Sequence, residues 1–208
     1  MSPTTSARPG SGTGAASRLP AMGAQQATAA LGVTPQQLRK LRECGLLGTR
    51  AALEALRSPG GQWRYPYESI RQLHERARVD LPSAGEDLAV HVAPLQLDEN
   101  GQAHQRTHLG WSASAVQAGL SAQQVEDAWA GLWSVRDPQR HVGAALVADV
   151  AGFVVEVARV TGWRLIAGDV RFEVEAPTAV MLQRYAGRRF HAAPGDTKQR
   201  LISAPAPT

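Results

Sequence analysis

The spacing of apolar residues near the amino terminus predicts two short helices joined by a tight corner. Apolar residues recur at helical intervals through 21–31, and Gly32 follows as a residue that readily ends a helix. A second helix then begins, because Thr34 can cap the first free amides and Pro35 has no amide to leave unpaired at the first helical position. Gly45 ends this second helix.

The second helix has one apolar face and one polar face. Leu38, Leu41 and Cys44 lie at helical spacing and are expected to point inward. Cys44 in that position is interpreted as a small buried hydrophobe rather than a redox or metal switch. The side chains expected largely on the outward faces are polar or basic, namely Gln36, Gln37, Arg39, Lys40 and Arg42.

The segment after Gly45 has the composition of a β-wing. The run 58–61 (SPGG) is a strong turn signal, and 62–65 (QWRY) is strand-like. Residues 51–57 could add a helical turn before it. After the wing, Ile70 and Leu73 indicate another amphipathic helix.

The rest of the chain predicts a mostly helical body with short β-hairpins. Alternating apolar residues favour strands within 87–97, followed by a hairpin turn at 99–101. The nearly continuous apolar run 142–160 favours one long helix, either a core helix or a dimer interface. The remaining predicted elements are helices within 112–133, a strand pair formed by 163–166 and 170–174, and a short helix over 178–185.

Composition predicts where the protein is located in the cell and which ends of the chain are flexible. Residues 1–20 are rich in Ser, Thr, Gly, Ala and Pro and predict a disordered arm, and 187–208 predict a flexible basic tail. The start of the chain lacks a secretory signal, and no apolar run is long enough to cross a bilayer. A single cysteine excludes an internal disulfide. These features indicate a cytoplasmic protein of bacterial character.

Charge is distributed unevenly along the chain. The overall formal charge is +4, but residues 34–78 carry nine basic side chains against four acidic ones, a net +5. Residues 86–175 carry twelve acidic side chains against six basic ones, a net −6. A basic block beside an acidic one indicates a polyanion-binding module attached to a body with a different role.

Residues 24–77 resemble the winged helix-turn-helix domain of the MerR-like superfamily, which includes the small phage excisionases. In that family a Gly-aliphatic-Ser/Thr corner precedes a helix that contains Leu-Arg and ends in Gly-Leu-Leu. A wing then closes on an aromatic-Arg-x-Tyr signature before an Ile/Leu-rich helix. The matching runs here are Gly32-Val33-Thr34, Leu38-Arg39, Gly45-Leu46-Leu47, Trp63-Arg64-Tyr65 and 70–73.

The resemblance implies an amino-terminal winged helix-turn-helix over 21–80, with double-stranded DNA as the partner and transcription regulation as the function. Together with the pattern of the remaining chain, this predicts an α+β fold in which a mostly helical body with short β-hairpins follows over 81–186. That body is expected to serve dimerisation, effector binding or partner contact, and we expect a homodimer located in the cytoplasm with the nucleoid. A helix end of this kind enters the major groove, and the wing contacts phosphates. The expected DNA-binding residues are Thr34, Gln36, Gln37, Arg39, Lys40, Arg42, Arg50, Arg57, Arg64 and Tyr65.

Two other functions stay open at this point. One is an excisionase-like or nucleoid-associated protein that shapes DNA in recombination or repair. The other is a ligand sensor or enzyme whose body carries the function and takes a small-molecule or protein effector. No catalytic motif or cofactor is expected, and no metal either, because His104 and His108 lie in a predicted hairpin strand. The tryptophans are expected to serve core packing rather than a ligand pocket.

Overall fold

The computed structural model describes residues 20–82 and 87–191, together with the backbone of 200–202. The predicted disordered arm lies outside the described residues except for Pro20, and so do residues 192–199 and 203–208 of the predicted tail. We call residues 20–79 the amino-terminal module. Its elements are β1 (Ala21–Gly23), α1 (Ala24–Leu31), α2 (Pro35–Glu43), α3 (Arg50–Ala55), β2 (Arg64–Pro66), α4 (Tyr67–His74) and β3 (Arg78–Val79).

The corner between α1 and α2 forms as its sequence predicts. Gly32 ends α1 in the left-handed conformation, with φ of +67°. The Thr34 hydroxyl accepts a hydrogen bond from the Gln37 amide at 3.2 Å, and the Gln37 side-chain oxygen accepts one from the Thr34 amide at 2.8 Å. This reciprocal capping box satisfies two amides that the first turn would leave without partners.

The predicted wing is wrong, and with it the winged helix-turn-helix fold. Residues 58–61 do form a turn, but that turn does not join two paired strands. Strand β2 pairs instead with β1, in antiparallel register from Ala21 opposite Pro66 to Gly23 opposite Arg64. The alanine-rich segment ahead of the turn forms α3, capped by Thr49, and so supplies no first strand for a hairpin.

A large mixed sheet dominates the remainder of the protein. The elements after the module are β4 (Leu88–His91), β5 (Gln96–Leu97), α5 (Gly101–His104), β6 (His108–Leu109), α6 (Ala122–Trp129), a 3-10 turn (Pro138–His141), β7 (Ala145–Val150), β8 (Phe153–Ile166), β9 (Asp169–Glu175), α7 (Ala179–Tyr185), β10 (Arg189–Phe190) and β11 (Arg200–Ile202). Seven strands form the sheet in the order β11-β4-β7-β8-β10-β3, with β9 paired to β8. Strands β4 and β7 are parallel, and β7, β8 and β9 are joined in antiparallel pairs.

This sheet overturns the predicted helical body. The run 142–160, expected to be one long helix, instead forms β7 and the first half of β8. A turn at Ala151 and Gly152, both with positive φ, separates the two strands. All six residues of β7 are buried. The strand therefore lacks the alternation of apolar and polar residues by which a half-buried strand is recognised in a sequence. The prediction of one long helix, either in the core or at a dimer interface, is therefore wrong. The segment forms a central β-hairpin instead.

The sheet is covered on both faces. Leu146, Ala148 and Val150 belong to the main core, which also contains the buried side chains of α1, α2 and α4. Ala145 and Val147 point to the opposite face and join a second cluster with Tyr185 of α7. The amino-terminal module and the sheet therefore share one continuous core.

Several smaller predictions can be compared with the structure. The strand pair around residue 168 is confirmed as the ends of β8 and β9, and the helix expected over 178–185 is confirmed as α7. The tail predicted to be flexible supplies β10 and β11 to the sheet, because β10 pairs with β3 and β8 and β11 pairs with β4. The hairpin expected near residue 100 holds α5 between its two short strands.

Candidate functional site

A cleft of about 680 Å³ opens where the amino-terminal module meets the sheet. Helices α2 and α3 form one wall, and the segment that leaves β4 forms another. Trp63, just before β2, completes the lining. The residues that line this cleft are Arg39, Lys40, Arg42, Glu43, Arg50, Leu53, Glu54, Trp63, Ala93, Pro94, Leu95 and Gln96.

The cleft is electropositive. Four basic side chains and two acidic side chains line it, which leaves a formal charge of +2. Glu43 is shared by two arginines, with Arg39 Nε at 3.7 Å and Arg42 Nη2 at 3.3 Å from its Oε1. Because the acids cannot neutralise all the bases, the cleft attracts anions.

Trp63 holds two guanidinium groups beside the cleft. The guanidinium carbon of Arg42 lies 4.4 Å from the ring centroid, and that of Arg57 lies 4.1 Å from it. Arg57 also forms an ion pair with Glu54 at 3.4 Å. Cation–π contacts of this length fix arginine side chains that would otherwise be mobile.

A row of buried ionisable side chains begins at Lys40, which also lines the cleft. His91 Nδ1 is 3.0 Å from Asp149 Oδ1, and His91 Nε2 is 3.0 Å from Lys40 Nζ. His91 and Asp149 are 0 % exposed and Lys40 is 5 % exposed. We call these three residues the Lys40–His91–Asp149 array.

The sheet register places the inner two members of the array. His91 is the last residue of β4, and Asp149 lies directly opposite it on the parallel strand β7. Asp149 Oδ1 also accepts a hydrogen bond from the Gly152 amide at 2.7 Å, while its Oδ2 has no hydrogen-bond partner among the described residues. The carboxylate is thus held by the turn that follows β7, and α2 brings Lys40 to the other ring nitrogen of His91.

The ten predicted DNA-binding residues do not form a single surface. Four of them line the cleft, and Arg57 lies against its Trp63 wall. Arg64 donates a hydrogen bond to the Ala21 carbonyl at 2.8 Å, so it lies along the β1–β2 pair. The residues of the set that are exposed are Thr34, Gln36, Arg39, Arg50, Arg57 and Arg64, and Arg42 is half-buried.

Three members of the predicted set are buried, and for Gln37 and Lys40 the expected outward placement is therefore wrong. Gln37 is 5 % exposed and Lys40 is 5 % exposed, because α2 packs one side against the module and another against the sheet. Tyr65 is 3 % exposed, opposite Met22 in the β1–β2 pair. Sequence reasoning assigned α2 a single apolar face and so missed its second contact.

Sequence reasoning also missed His91 and Asp149. Each interrupts an apolar strand, in the runs AVHVA and VADVA. A polar residue at a buried strand position needs a partner, and that is the signal that could have identified them. Their partnership with Lys40 joins three distant segments and was not visible in any local pattern.

No family model, no curated protein and no solved structure matches this chain. The resemblance to MerR-like proteins therefore stays a prediction. Within the described ranges, no helix is long and apolar enough to cross a membrane. The same part of the chain holds no group of three or more His, Cys, Asp and Glu side chains that could bind a metal ion.

A second polar cluster lies outside the cleft lining. Asp98 accepts hydrogen bonds from His104 Nδ1 and Arg106 Nε, and Arg171 forms a buried ion pair with Asp127. Burial alone would raise the pKa of Asp98, but the bonds from Arg106 and His104 outweigh it and hold that pKa below its usual value. These contacts tie α5, β6, α6 and β9 together, which indicates a structural role.

Proposed function

We propose that this protein binds duplex DNA through the basic side of its amino-terminal module and acts as a transcriptional regulator. The observation that carries the proposal is the collection of Arg39, Arg42 and Arg50 around one electropositive cleft. Arginine guanidinium groups suit phosphate oxygens in both charge and geometry. Gln36, exposed near the start of α2, is the side chain best placed to reach a base edge.

A second candidate is an architectural DNA-binding protein of recombination or repair. The burial of Gln37 and Lys40 favours it, because two of the expected DNA-binding side chains of α2 are then not available at the surface. Contacts to phosphates without base contacts give affinity with little sequence preference. The two candidates differ in specificity and in how far they bend DNA.

Both candidate functions require binding to duplex DNA. Measuring the affinity for a fluorescent duplex over a series of salt concentrations tests that requirement. Each phosphate contact contributes a slope of about −0.9 to the plot of log affinity against log salt. Arg39→Ala and Arg50→Ala should each make that slope shallower by about 1. Arg159→Ala is the matched control, because Arg159 is also exposed and ion-paired, with Glu175 at 2.6 Å, but lies outside the cleft.

The absence of salt-sensitive binding would refute DNA binding altogether. Equal effects of Arg39→Ala and Arg159→Ala would refute the cleft as the contact surface. The ratio of affinities for a selected site and for random duplex then separates a regulator from an architectural protein, and a circularly permuted bending assay reports the DNA deformation directly.

A further inference from the structure

A second and much smaller pocket, of about 60 Å³, lies where the corner between α1 and α2 meets the sheet. Its walls come from residues 31–33 of that corner, residues 151–153 at the turn between β7 and β8, Arg78 of β3, and residues 189–191 in and after β10. We call it the Arg78–Arg189 pocket. It shares no lining residue with the cleft.

Two positive charges lie side by side at this pocket. Arg78 and Arg189 are register partners in the parallel pair of β3 and β10, so their side chains leave the same face of the sheet. Burial, and then the charge of Arg78, lower the pKa of Arg189. Neither arginine forms an ion pair with a carboxylate among the described residues. Like charges on paired strands are unfavourable, and here the described protein does not neutralise them.

The Arg189 guanidinium is held in place but leaves one donor unused. Its Nη1 donates a hydrogen bond to the Leu31 carbonyl at 3.2 Å, and its carbon lies 5.9 Å from the centroid of the Phe153 ring. Its Nε is buried and has no hydrogen-bond partner in the part of the chain that the structure describes. A buried donor without a partner is costly, and an acceptor bound in the pocket would remove that cost.

The pocket has the charge and the size for a phosphate group. Two arginines and His191 line it, and none of its described lining residues is acidic. His191 Nε2 lies 3.8 Å from Asp80 Oδ1, and both side chains are exposed, so the pocket reaches the surface. Its volume of about 60 Å³ equals roughly four to six water-sized spheres, which is enough for a phosphorus atom and its oxygens.

We propose that the Arg78–Arg189 pocket binds the terminal phosphate of a phosphomonoester. Its dianion balances the two arginine charges, and one of its oxygens accepts the free hydrogen bond of Arg189 Nε. A phosphodiester suits the pocket less well, because it has a single charge and a chain on two of its oxygens. The site goes beyond the proposed DNA binding and does not depend on it, because pocket and cleft share no residue.

Methyl phosphate is the probe, and dimethyl phosphate is the matched diester. The full-length protein is unfolded in urea at pH 8 with increasing amounts of each, and sodium chloride keeps the ionic strength constant. A ligand that binds only the folded state raises the unfolding midpoint. Methyl phosphate should raise it in proportion to the occupancy of one site, and dimethyl phosphate should raise it much less.

Arg78→Ala removes one arginine at an exposed position and should weaken methyl phosphate binding by about 10-fold or more, the usual value of a hydrogen bond to a charged group. Arg164→Ala is the matched control. Arg164 is also an exposed strand residue opposite an arginine, but that residue, Arg171, is ion-paired with Asp127. Arg164 lines neither the pocket nor the cleft, so Arg164→Ala should bind methyl phosphate like the natural protein.

Nuclear magnetic resonance of the arginine Nε–H groups observes the unused donor directly. The signal that disappears in Arg189→Lys belongs to Arg189, and it should shift when methyl phosphate is added and not when chloride is added. Arg189→Lys also loses the hydrogen bond to Leu31. If that variant does not fold, the comparison of Arg78→Ala with Arg164→Ala still decides the test.

The proposal is overturned if methyl phosphate stabilises the protein no more than chloride does, or if Arg78→Ala and Arg164→Ala respond to it equally. Equal effects of methyl and dimethyl phosphate would refute the preference for a monoester. A shallower salt dependence of duplex binding in Arg78→Ala would assign the pocket to the DNA backbone and refute a small-molecule site. Arg39→Ala and Arg50→Ala test the cleft, so failure of the phosphate site and failure of the proposed DNA binding give different results.

Discussion

The only cysteine of the chain links the packing of α2 to a measurable pH dependence. Cys44 caps the carboxyl end of α2 and is 0 % exposed. Burial is the main reason that the pKa of its thiol rises from 9.0 to about 12, the charge of Glu43 adds to the rise, and the charge of Lys40 opposes it. The folded protein therefore keeps a proton that the unfolded chain loses near pH 9.

The direction of the effect on stability follows from this difference. Above pH 9 the unfolded state binds fewer protons at Cys44 than the native state, so the free energy of unfolding falls as pH rises. The contribution is fully present below pH 9 and is lost progressively up to about pH 12. At pH 10 the expected loss is about 1.4 kcal/mol, against about 0.1 kcal/mol at pH 8.

Urea unfolding of the natural protein and of Cys44→Ala at both pH values measures this contribution. The variant has no thiol to ionise, while every other titrating group is common to both proteins, so the difference between them isolates Cys44. The natural protein should lose about 1.4 kcal/mol more stability than Cys44→Ala between pH 8 and pH 10. Equal losses in the two proteins would mean that the thiol ionises as readily folded as unfolded, and the buried placement of Cys44 would be refuted.

Three further substitutions, the last with an exposed leucine as its control, test the packing of the protein by urea unfolding. Thr34→Ala removes the hydroxyl that caps α2 and should cost about 1 kcal/mol; no loss would mean that the cap is dispensable. Gly110→Ala places a Cβ 2.5 Å from the Ala93 carbonyl oxygen at φ of +93°, so we expect a loss of about 1–3 kcal/mol. Leu41→Ala empties a 0 % exposed site and should cost about 3 kcal/mol, whereas Leu182→Ala, at a 44 % exposed site, should change stability by under about 0.5 kcal/mol. Equal costs at the two leucines would contradict the core described here.

The local features of the amino-terminal module could be predicted because short-range rules determine them. The cap at Thr34 depends on residues three apart, and so does the cap of α6, where the Ser121 hydroxyl accepts a hydrogen bond from the Gln124 amide at 3.2 Å. Both caps form even though α2 is basic and α6 is acidic. Capping therefore sets where a helix starts and says nothing about what its surface binds.

The sheet could not be predicted from the same rules. The run 142–160 is apolar at most positions with no clear period of two, and that pattern fits a buried helix as well as a pair of central strands. The turn at 151–152 reads Ala-Gly, which is a weaker turn signal than Asn-Gly or Asp-Gly. β4 and β7 are adjacent in the sheet but separated by more than 50 residues, so their pairing is a property of the tertiary structure.

Burial changes the meaning of the charge pattern that suggested DNA binding. Counting charges along the chain treats every basic residue as part of one surface, but Lys40 faces inward to His91 while Arg39 beside it is exposed. Adjacent positions on α2 therefore have two different surroundings, solvent for Arg39 and the buried His91–Asp149 pair for Lys40. The arginines around the cleft that suggest nucleic-acid binding would also supply the electropositive part of a small-molecule site. The effects of Arg39→Ala and Arg50→Ala on duplex binding test the first of these uses, because that binding depends on the exposed arginines.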